Sequence, residues 1–463
     1  MASHHLQVDD VDYIDVEELR ASFLDREKRL LLGVDLVNAT PALVGSWTGH
    51  AYSDTGRLLL EPPRATDIAG KARWWLRSVL AGGVYELTGG HVPIYVLDEI
   101  ASQIMGSTSY ASKIVFRLKP LGATSGLRWR RVSPCLNMNA FTTGGYPTLF
   151  DLDPEGVDEH QLQERIRRGR EALISRKSPY RQPRVVLQAL GKKGLELAGN
   201  IPLPPGYYRF RLELWLRPGA ELDPLEEEVL GNALGLALFA AGIGRGVTRG
   251  FGKLAPIGGE AEGRLSSKVL DIYRRLREGS PMEGLAEDAS SAAKRYLEEL
   301  FLCRSRERAQ WRLCRELGRE LADYPFTHTF HPEWVHTIDR TIDVFQQPFS
   351  DVGLLLSDFT KDTQLGRTLR EKFEAKIPCE ERDLLPLYLG LPRRNARSLL
   401  KSKNIYKFKK ERNITQRRLV SAFYLIPVAS VDYRRGFEGF HRVYAVWFRF
   451  GDAFIKWVTK GDP

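Results

Sequence analysis

The chain has 463 residues, of which 43% are hydrophobic and 27% are charged, and its formal net charge is +10. This length exceeds what a single core usually supports, and the composition excludes collagen-like, disordered and coiled-coil classes for the chain as a whole. The four cysteines lie far apart without a C-x-x-C pair, which argues against a zinc ribbon and an extracellular disulfide framework.

The first half of the chain predicts an α+β unit that follows a charged extension at residues 1–29. Strand-like runs lie at 30–37, 113–118, 207–216 and 251–257, and helical patterns lie at 66–80 and 223–241. Their order, β-α-β-β-α-β, is that of the ferredoxin-like fold, an antiparallel four-stranded sheet backed by two helices. We therefore predict a first ferredoxin-like domain at 30–259, with an insertion around 120–205.

The second half has a more helical texture. Helical patterns lie at 265–277, 289–303 and 307–321, and two strand-like runs follow at 419–428 and 443–450. We predict a second α+β domain at 260–463, and one interpretation of it is a degenerate ferredoxin-like copy of the first.

Positive charge is concentrated in two short segments. Between 393 and 418 eleven residues are basic and one is acidic, and between 165 and 184 eight are basic and one is acidic. Such segregation costs self-repulsion unless a polyanion neutralises it, which favours nucleic acid as a partner. The alternative is that the two basic segments are solvated helix faces and loops that bind no polyanion. The amino-terminal residues lack an apolar core segment, so we expect a cytoplasmic protein.

The predicted helix that begins near Asp67 has an apolar face, which accounts for its packing without its arginines. Arg73 and Arg77 lie roughly opposite that face, together with Trp74, one helical turn apart. They could meet two phosphates or the carboxylates of a partner, and the alternative is local pairing with acidic residues. Gly70 predicts a close backbone approach near the start of this helix.

A glycine-rich motif, GIGRGVTRGFGKL, occupies 242–254 between a predicted helix and a predicted strand. It is neither a dinucleotide-binding fingerprint, which follows a strand and precedes a helix, nor a P-loop. Glycines let backbone N–H groups approach a phosphate, and interleaved basic residues add charge. The motif therefore favours a phosphate-binding loop over a simple connector.

These motifs together resemble the RAMP superfamily of CRISPR-Cas proteins. The resemblance rests on a loop with Pro41 and Gly45, on Arg64, and on the motifs GKARWWLR, MGST and GIGRGVTRGFGKL. Within the superfamily, the paired tryptophans followed by a Gly-Ser turn are similar to the first subunit of the type III-B (Cmr) effector complex. The strand RRLVSAFY at 417–424 extends the similarity into the second half. Met105 departs from the pattern, in which an aromatic residue is usual.

The resemblance implies one or two RNA-recognition-like domains in an assembly of RAMP subunits that holds guide RNA and binds target RNA. It places this subunit near the guide 3′ end and implies that other subunits cleave the target. We therefore expect a non-catalytic RNA-binding subunit without cofactor, metal or membrane contact. The expected RNA contacts are Arg64, Lys71, Arg73, Arg77, Gly242, Gly244, Arg245, Gly246, Arg249, Gly250, Gly252, Lys253, Arg393, Arg394, Arg397, Lys401, Lys403, Lys407, Arg417 and Arg418.

Two alternatives to this function remain open in the sequence. The first is a RAMP-type endoribonuclease that processes guide precursor or cuts target RNA, for which His50 and Asp54 are the first-loop candidates. The segment from His328 to His336 offers three histidines and Glu333, but it lacks the H-E-x-x-H order of zinc hydrolases, and its interleaved aromatics favour a packed turn. The second alternative is a protein-interaction scaffold whose basic faces meet acidic subunits.

Overall fold

The structure, a computed structural model, describes residues 29–40, 42, 63–121, 208–244, 246–248, 250–304, 328–339, 371–372, 374–377, 421–432 and 436–450. The described strands are β1 (Leu30–Asn38), β2 (Ile114–Pro120), β3 (Arg209–Leu216), β4 (Leu254–Glu262), β5 (Val335–Asp339), β6 (Phe423–Asp432) and β7 (Gly436–Phe448). The described helices are α1 (Ala65–Thr88), α2 (Ile94–Met105), α3 (Pro224–Gly235) with a π-helical continuation (Leu236–Ala241), α4 (Ser266–Glu278) and α5 (Met282–Arg304). None of these described helices is both long and apolar enough to cross a membrane.

The first four strands form one antiparallel sheet in the order β2-β3-β1-β4. With α1 between β1 and β2, and α3 between β3 and β4, this is the ferredoxin-like arrangement that the sequence predicts. Alternation along β3 explains the two faces of the sheet, because Phe210, Leu212 and Leu214 are buried in the main core whereas Arg211 and Glu213 point the other way.

Helix α1 is longer than its sequence pattern indicates, since it ends at Thr88 rather than near Leu80. Two glycines, Gly82 and Gly83, lie inside the part of the helix beyond Leu80. A Cβ at Gly82 would overlap the carbonyl oxygen of Phe330, and one at Gly83 would lie 2.6 Å from the Cβ of Ala293. These glycines therefore allow α1 to pack closely, and that packing offsets their low helix propensity.

Helix α3 begins as predicted, because Asp223 caps it by accepting hydrogen bonds from the backbone N–H groups of Leu225 and Glu226. The strand that follows starts at Leu254, three residues later than the prediction, because Phe251 to Lys253 still belong to the preceding loop. Helix α2 had no counterpart in the sequence prediction.

The described residues of the second half form α4, α5 and a three-stranded antiparallel sheet in the order β5-β7-β6. This sheet shares one hydrophobic cluster with the first sheet. Trp75 of α1 joins the two, with ring centroids 5.4 Å from Phe330, 6.2 Å from Tyr424 and 6.1 Å from Phe448. The predicted helix at 307–321 lies outside the described residues. The domain limits 1–29, 30–259 and 260–463 stay predictions, as does a second ferredoxin-like copy.

Candidate nucleic-acid interface

The segment 242–253, which we call the glycine loop, connects the π-helical end of α3 to β4. All five of its glycines have positive φ angles, between +63° and +84°. The ends of the loop are joined by a 2.7 Å hydrogen bond from the Ile243 N–H to the Gly252 carbonyl. A Cβ at Gly242 would overlap the Gly252 carbonyl oxygen, so glycine is required there by both backbone angle and space. The loop is thus a built structure and not a loose connector.

Two lysines hold the backbone of the glycine loop and of the helix end that leads into it. Lys71 of α1 donates from Nζ to the carbonyls of Gly242 and Gly244, at 2.6 and 3.3 Å. Lys253 is completely buried, and its Nζ donates to the carbonyls of Ala240 and Ala241, the latter at 3.1 Å. Burial lowers the pKa of Lys71 to about 7, despite the opposing effect of Asp67, and lowers the pKa of Lys253 strongly.

Backbone contacts fix the glycine loop on two further sides. The Thr248 carbonyl accepts a 2.9 Å hydrogen bond from the N–H of Leu425 in β6. The N–H of Lys253 donates to the Thr40 hydroxyl at 2.8 Å, and its carbonyl accepts from Ala39 at 2.7 Å. The loop is therefore anchored to α1, to the end of β1 and to the second sheet.

Arg73 and Arg77 are engaged within the protein. Arg77 pairs with Asp98 of α2 at 2.6 Å. Arg73 donates to the Ser102 hydroxyl and the Met105 carbonyl, both at 3.1 Å, and to the Gly106 carbonyl. Local pairing with an acidic residue is therefore observed for Arg77, whereas Arg73 is held by a hydroxyl and by carbonyl groups at the end of α2. An RNA contact by either arginine stays a prediction.

The start of α1 is more exposed. Arg64 precedes the helix on the surface, where its N–H donates to the Asp67 carboxylate at 3.4 Å. A Cβ at Gly70 would meet no heavy atom within 4 Å, so the described residues make no close approach there, and the approach of an anion to this backbone stays a prediction.

Several predicted contacts lie outside the described residues. Among the RNA-contact candidates these are Arg245, Arg249 and all members of the 393–418 segment. The same holds for His50, Asp54 and the second basic segment, 165–184.

The histidine segment begins as a packed turn, as its aromatics predict, and its last two residues, Val335 and His336, belong to β5. His328 is buried against the Trp74 ring at 4.8 Å and the Phe448 ring at 5.1 Å, and its Nε2 donates to the Ser421 carbonyl at 3.1 Å. Burial lowers the pKa of His328 to about 4. Across the parts of the chain that the structure describes, no group of three His, Cys, Asp or Glu residues is placed to hold a metal ion.

The sheet face opposite the helices carries an ion network that the sequence analysis missed. Lys119 donates to one oxygen of the buried Glu213 at 2.6 Å, and the Trp215 indole N–H donates to the other at 3.0 Å. Arg211 pairs with Asp35 at 3.0 Å and also with Glu262. Burial alone would raise the pKa of Glu213, but these hydrogen bonds and the neighbouring cations lower it. Opposite charges on adjacent strands could have indicated this network, but the strand register must be known before these residues can be paired.

Comparisons with known proteins agree with the motifs. A model of the RAMP superfamily matches residues 64–255, from the start of α1 to the first residues of β4. No curated protein sequence matches the chain.

Two solved structures are similar to the chain at low identity. One is a chain of the type III-B Cmr-beta complex bound to cognate target RNA and AMPPnP, with 16% identity, a TM-score of 0.48 and coverage of 93% of this chain and 97% of that one. The other is apo Cmr1 from Pyrococcus furiosus, with 14% identity, a TM-score of 0.39 and coverage of 91% and 88%. The match to the RAMP superfamily model thus covers α1, α2, β2, β3, α3 and the glycine loop, and it ends at the second residue of β4.

Proposed function

We propose that this chain is a non-catalytic RNA-binding subunit of a type III-B CRISPR-Cas (Cmr) ribonucleoprotein, which acts in antiviral defence in the cytoplasm. It contacts guide or target RNA near the guide 3′ end, beside other RAMP subunits. The type III-B assignment rests on the paired tryptophans Trp74 and Trp75 and the Gly-Ser turn at Gly106, within the segment that the RAMP model matches.

The observation that carries the RNA-binding role is the geometry of the glycine loop. Its glycines hold a backbone conformation that other residues resist, and two of its carbonyl oxygens are directed at Lys71. Those carbonyl oxygens would repel a phosphate, so turning them inward leaves the outer side of the loop more favourable for an anion. The sequence adds Arg245 and Arg249 to this loop.

The ion network on the first sheet supports a backbone-directed mode of binding. RNA-recognition domains often stack bases on aromatic residues of the exposed sheet face. Here Asp35, Arg211 and Glu213 occupy that face and are paired with one another or with neighbouring residues. The aromatic residue on this part of the face, Trp215, donates its indole N–H to Glu213. We therefore assign affinity to phosphate contacts, while base pairing between guide and target reads the sequence.

The test replaces the two loop arginines together, Arg245→Ala with Arg249→Ala, and measures the binding of single-stranded RNA by fluorescence anisotropy over a salt series. If five to eight phosphates are neutralised, log K for the unmodified chain falls with log salt at a slope of about −3.5 to −5.6, or roughly −0.7 per contact. The double variant is expected to bind more weakly, with a slope shallower by about 1.4.

A matched control removes the same charge from α4, through Arg274→Ala with Arg277→Ala, both on the surface of that helix. This control is expected to bind RNA with the slope of the unmodified chain. Equal losses in the two double variants would show that only net charge matters, and salt-independent binding would contradict the phosphate-contact mechanism altogether.

The non-catalytic part of the proposal has its own test. RNA labelled at one end is incubated with the chain and Mg²⁺ or Mn²⁺, beside His50→Ala and Asp54→Ala variants. We expect no cleavage, because the sequence offers this pair no third ligand and no neighbouring general acid. Cleavage that disappears in either variant would replace the binding subunit with the endoribonuclease alternative.

A further inference from the structure

Lys71 and Lys253 are both basic residues of the RAMP-matched segment, but their Nζ atoms face inward. Lys71 bonds two carbonyls inside the glycine loop, and Lys253 bonds the last two carbonyls of the helical segment that enters it. The two lysines come from different elements, α1 and the end of the loop itself, and meet on the same stretch of backbone. Together they donate to the carbonyls of Ala240, Ala241, Gly242 and Gly244.

These carbonyls need donors for a physical reason. A helix leaves its last carbonyls without intrahelical partners, and the positive φ angle of Gly242 turns the chain away from the helix axis. Lys253 has no exposed surface, so it cannot reach a phosphate without leaving the core. Burying an amine is costly, and that cost is offset only if its N–H groups are hydrogen-bonded, as they are here.

We propose that Lys71 and Lys253 are positioning residues that hold the glycine loop in its RNA-binding conformation from inside the protein, and that neither contacts phosphate. This inference rests on the proposed RNA-binding function. It also separates the basic residues of this region into two roles: Arg245 and Arg249 supply charge to the ligand, and the two lysines supply hydrogen bonds to the loop.

The salt dependence of RNA binding distinguishes these roles. A lysine that neutralises a phosphate releases a counterion, and its loss makes the slope of log K against log salt shallower by about 0.7. Loss of a lysine that only shapes the loop leaves the number of phosphate contacts, and hence the slope, unchanged. It lowers the affinity at every salt concentration by the same factor.

The experiment compares Lys71→Met and Lys253→Met with Lys268→Met. This control removes a half-exposed lysine of α4 that pairs with Glu228 of α3. Methionine keeps much of the side-chain length and volume but donates no hydrogen bond. We expect each of the first two variants to bind single-stranded RNA at least tenfold more weakly with an unchanged slope, and Lys268→Met to bind as the unmodified chain does. A slope shallower by about 0.7, or an unchanged affinity, would overturn the inference.

A second measurement needs no RNA and keeps the two proposals separable. Hydrogen exchange of the peptide that spans 242–253 is compared between the unmodified chain and Lys71→Met, with a β7 peptide as the reference. We expect faster exchange in the loop peptide alone, because its amides lose a fixed conformation. Unchanged exchange would overturn the positioning role even if the chain binds RNA. Faster exchange in a chain that binds no RNA would contradict the proposed function, and with it the RNA-binding part of this inference, while the lysines would remain supports of the loop.

Discussion

Gly252 and Ile243 approach each other so closely that a Cβ atom at Gly252 would overlap the Ile243 carbonyl oxygen. The same two residues share the 2.7 Å hydrogen bond that closes the glycine loop. The φ angle of Gly252 is +63°, in the left-handed region that other residues rarely adopt. Space and backbone angle therefore both require glycine at this position.

We expect Gly252→Ala to lower the free energy of unfolding by about 3 kcal/mol, which combines left-handed strain with the clash against Ile243. The matched control is Gly258→Ala, where φ is +72° but a Cβ would meet no heavy atom within 4 Å. The control shares the backbone strain without the clash, so we expect a loss of only about 1 kcal/mol. Urea unfolding of the two variants measures the difference, and equal losses would show that the loop can open around a side chain.

A second prediction concerns Arg73, which holds the carboxyl end of α2 through the carbonyls of Met105 and Gly106. Arg73→Met leaves those carbonyls without this donor, and we expect it to lower the free energy of unfolding by about 2 kcal/mol. The control, Arg274→Met, removes an exposed ion pair with Asp271 and should change stability by less than about 0.5 kcal/mol. If Arg73 served phosphate instead, Arg73→Met would keep its stability and make the salt slope of RNA binding shallower.

The first sheet could be predicted from the sequence because the residue patterns that define its strands and helices are local. Alternation along β3 identifies the core face, and the Asp223 cap marks the start of α3. The hydrogen-bond and ion-pair partners of the basic side chains could not be predicted in this way. Lys71 bonds a carbonyl 171 positions along the chain, and Arg77 pairs with a helix that had no sequence prediction. Long-range contacts of this kind follow from tertiary packing, which no window of sequence contains.

A similar limit applies to the second sheet. The hairpin of β6 and β7 was visible as two apolar runs, whereas β5 is only five residues long and lies next to the aromatic turn of Phe330 and Trp334. Its pairing with β7, rather than its own composition, makes it a strand. The packed turn itself was predictable, because buried aromatics interleaved with histidines leave those histidines inside the core.

The last prediction follows from His328, whose pKa burial lowers to about 4 against a usual value near 6.5. The unfolded chain therefore binds a proton at this residue between pH 6.5 and 4 that the folded chain does not, so the stability from neutral His328 is complete above pH 6.5. As the pH falls through this interval, the free energy of unfolding should decrease by up to about 1.4 kcal/mol per pH unit.

The comparison variant is His328→Phe, which keeps an aromatic ring beside Trp74 and Phe448 but does not titrate. It loses the hydrogen bond to the Ser421 carbonyl, so we expect it to be less stable than the unmodified chain at pH 7.5. Because the other titratable residues are common to both proteins, the difference between their unfolding free energies isolates His328. That difference should narrow as urea unfolding is repeated at pH 6.5, 5.5 and 4.5. Parallel pH profiles would contradict the prediction, because they would mean that the pKa of His328 is the same in the folded and unfolded chains.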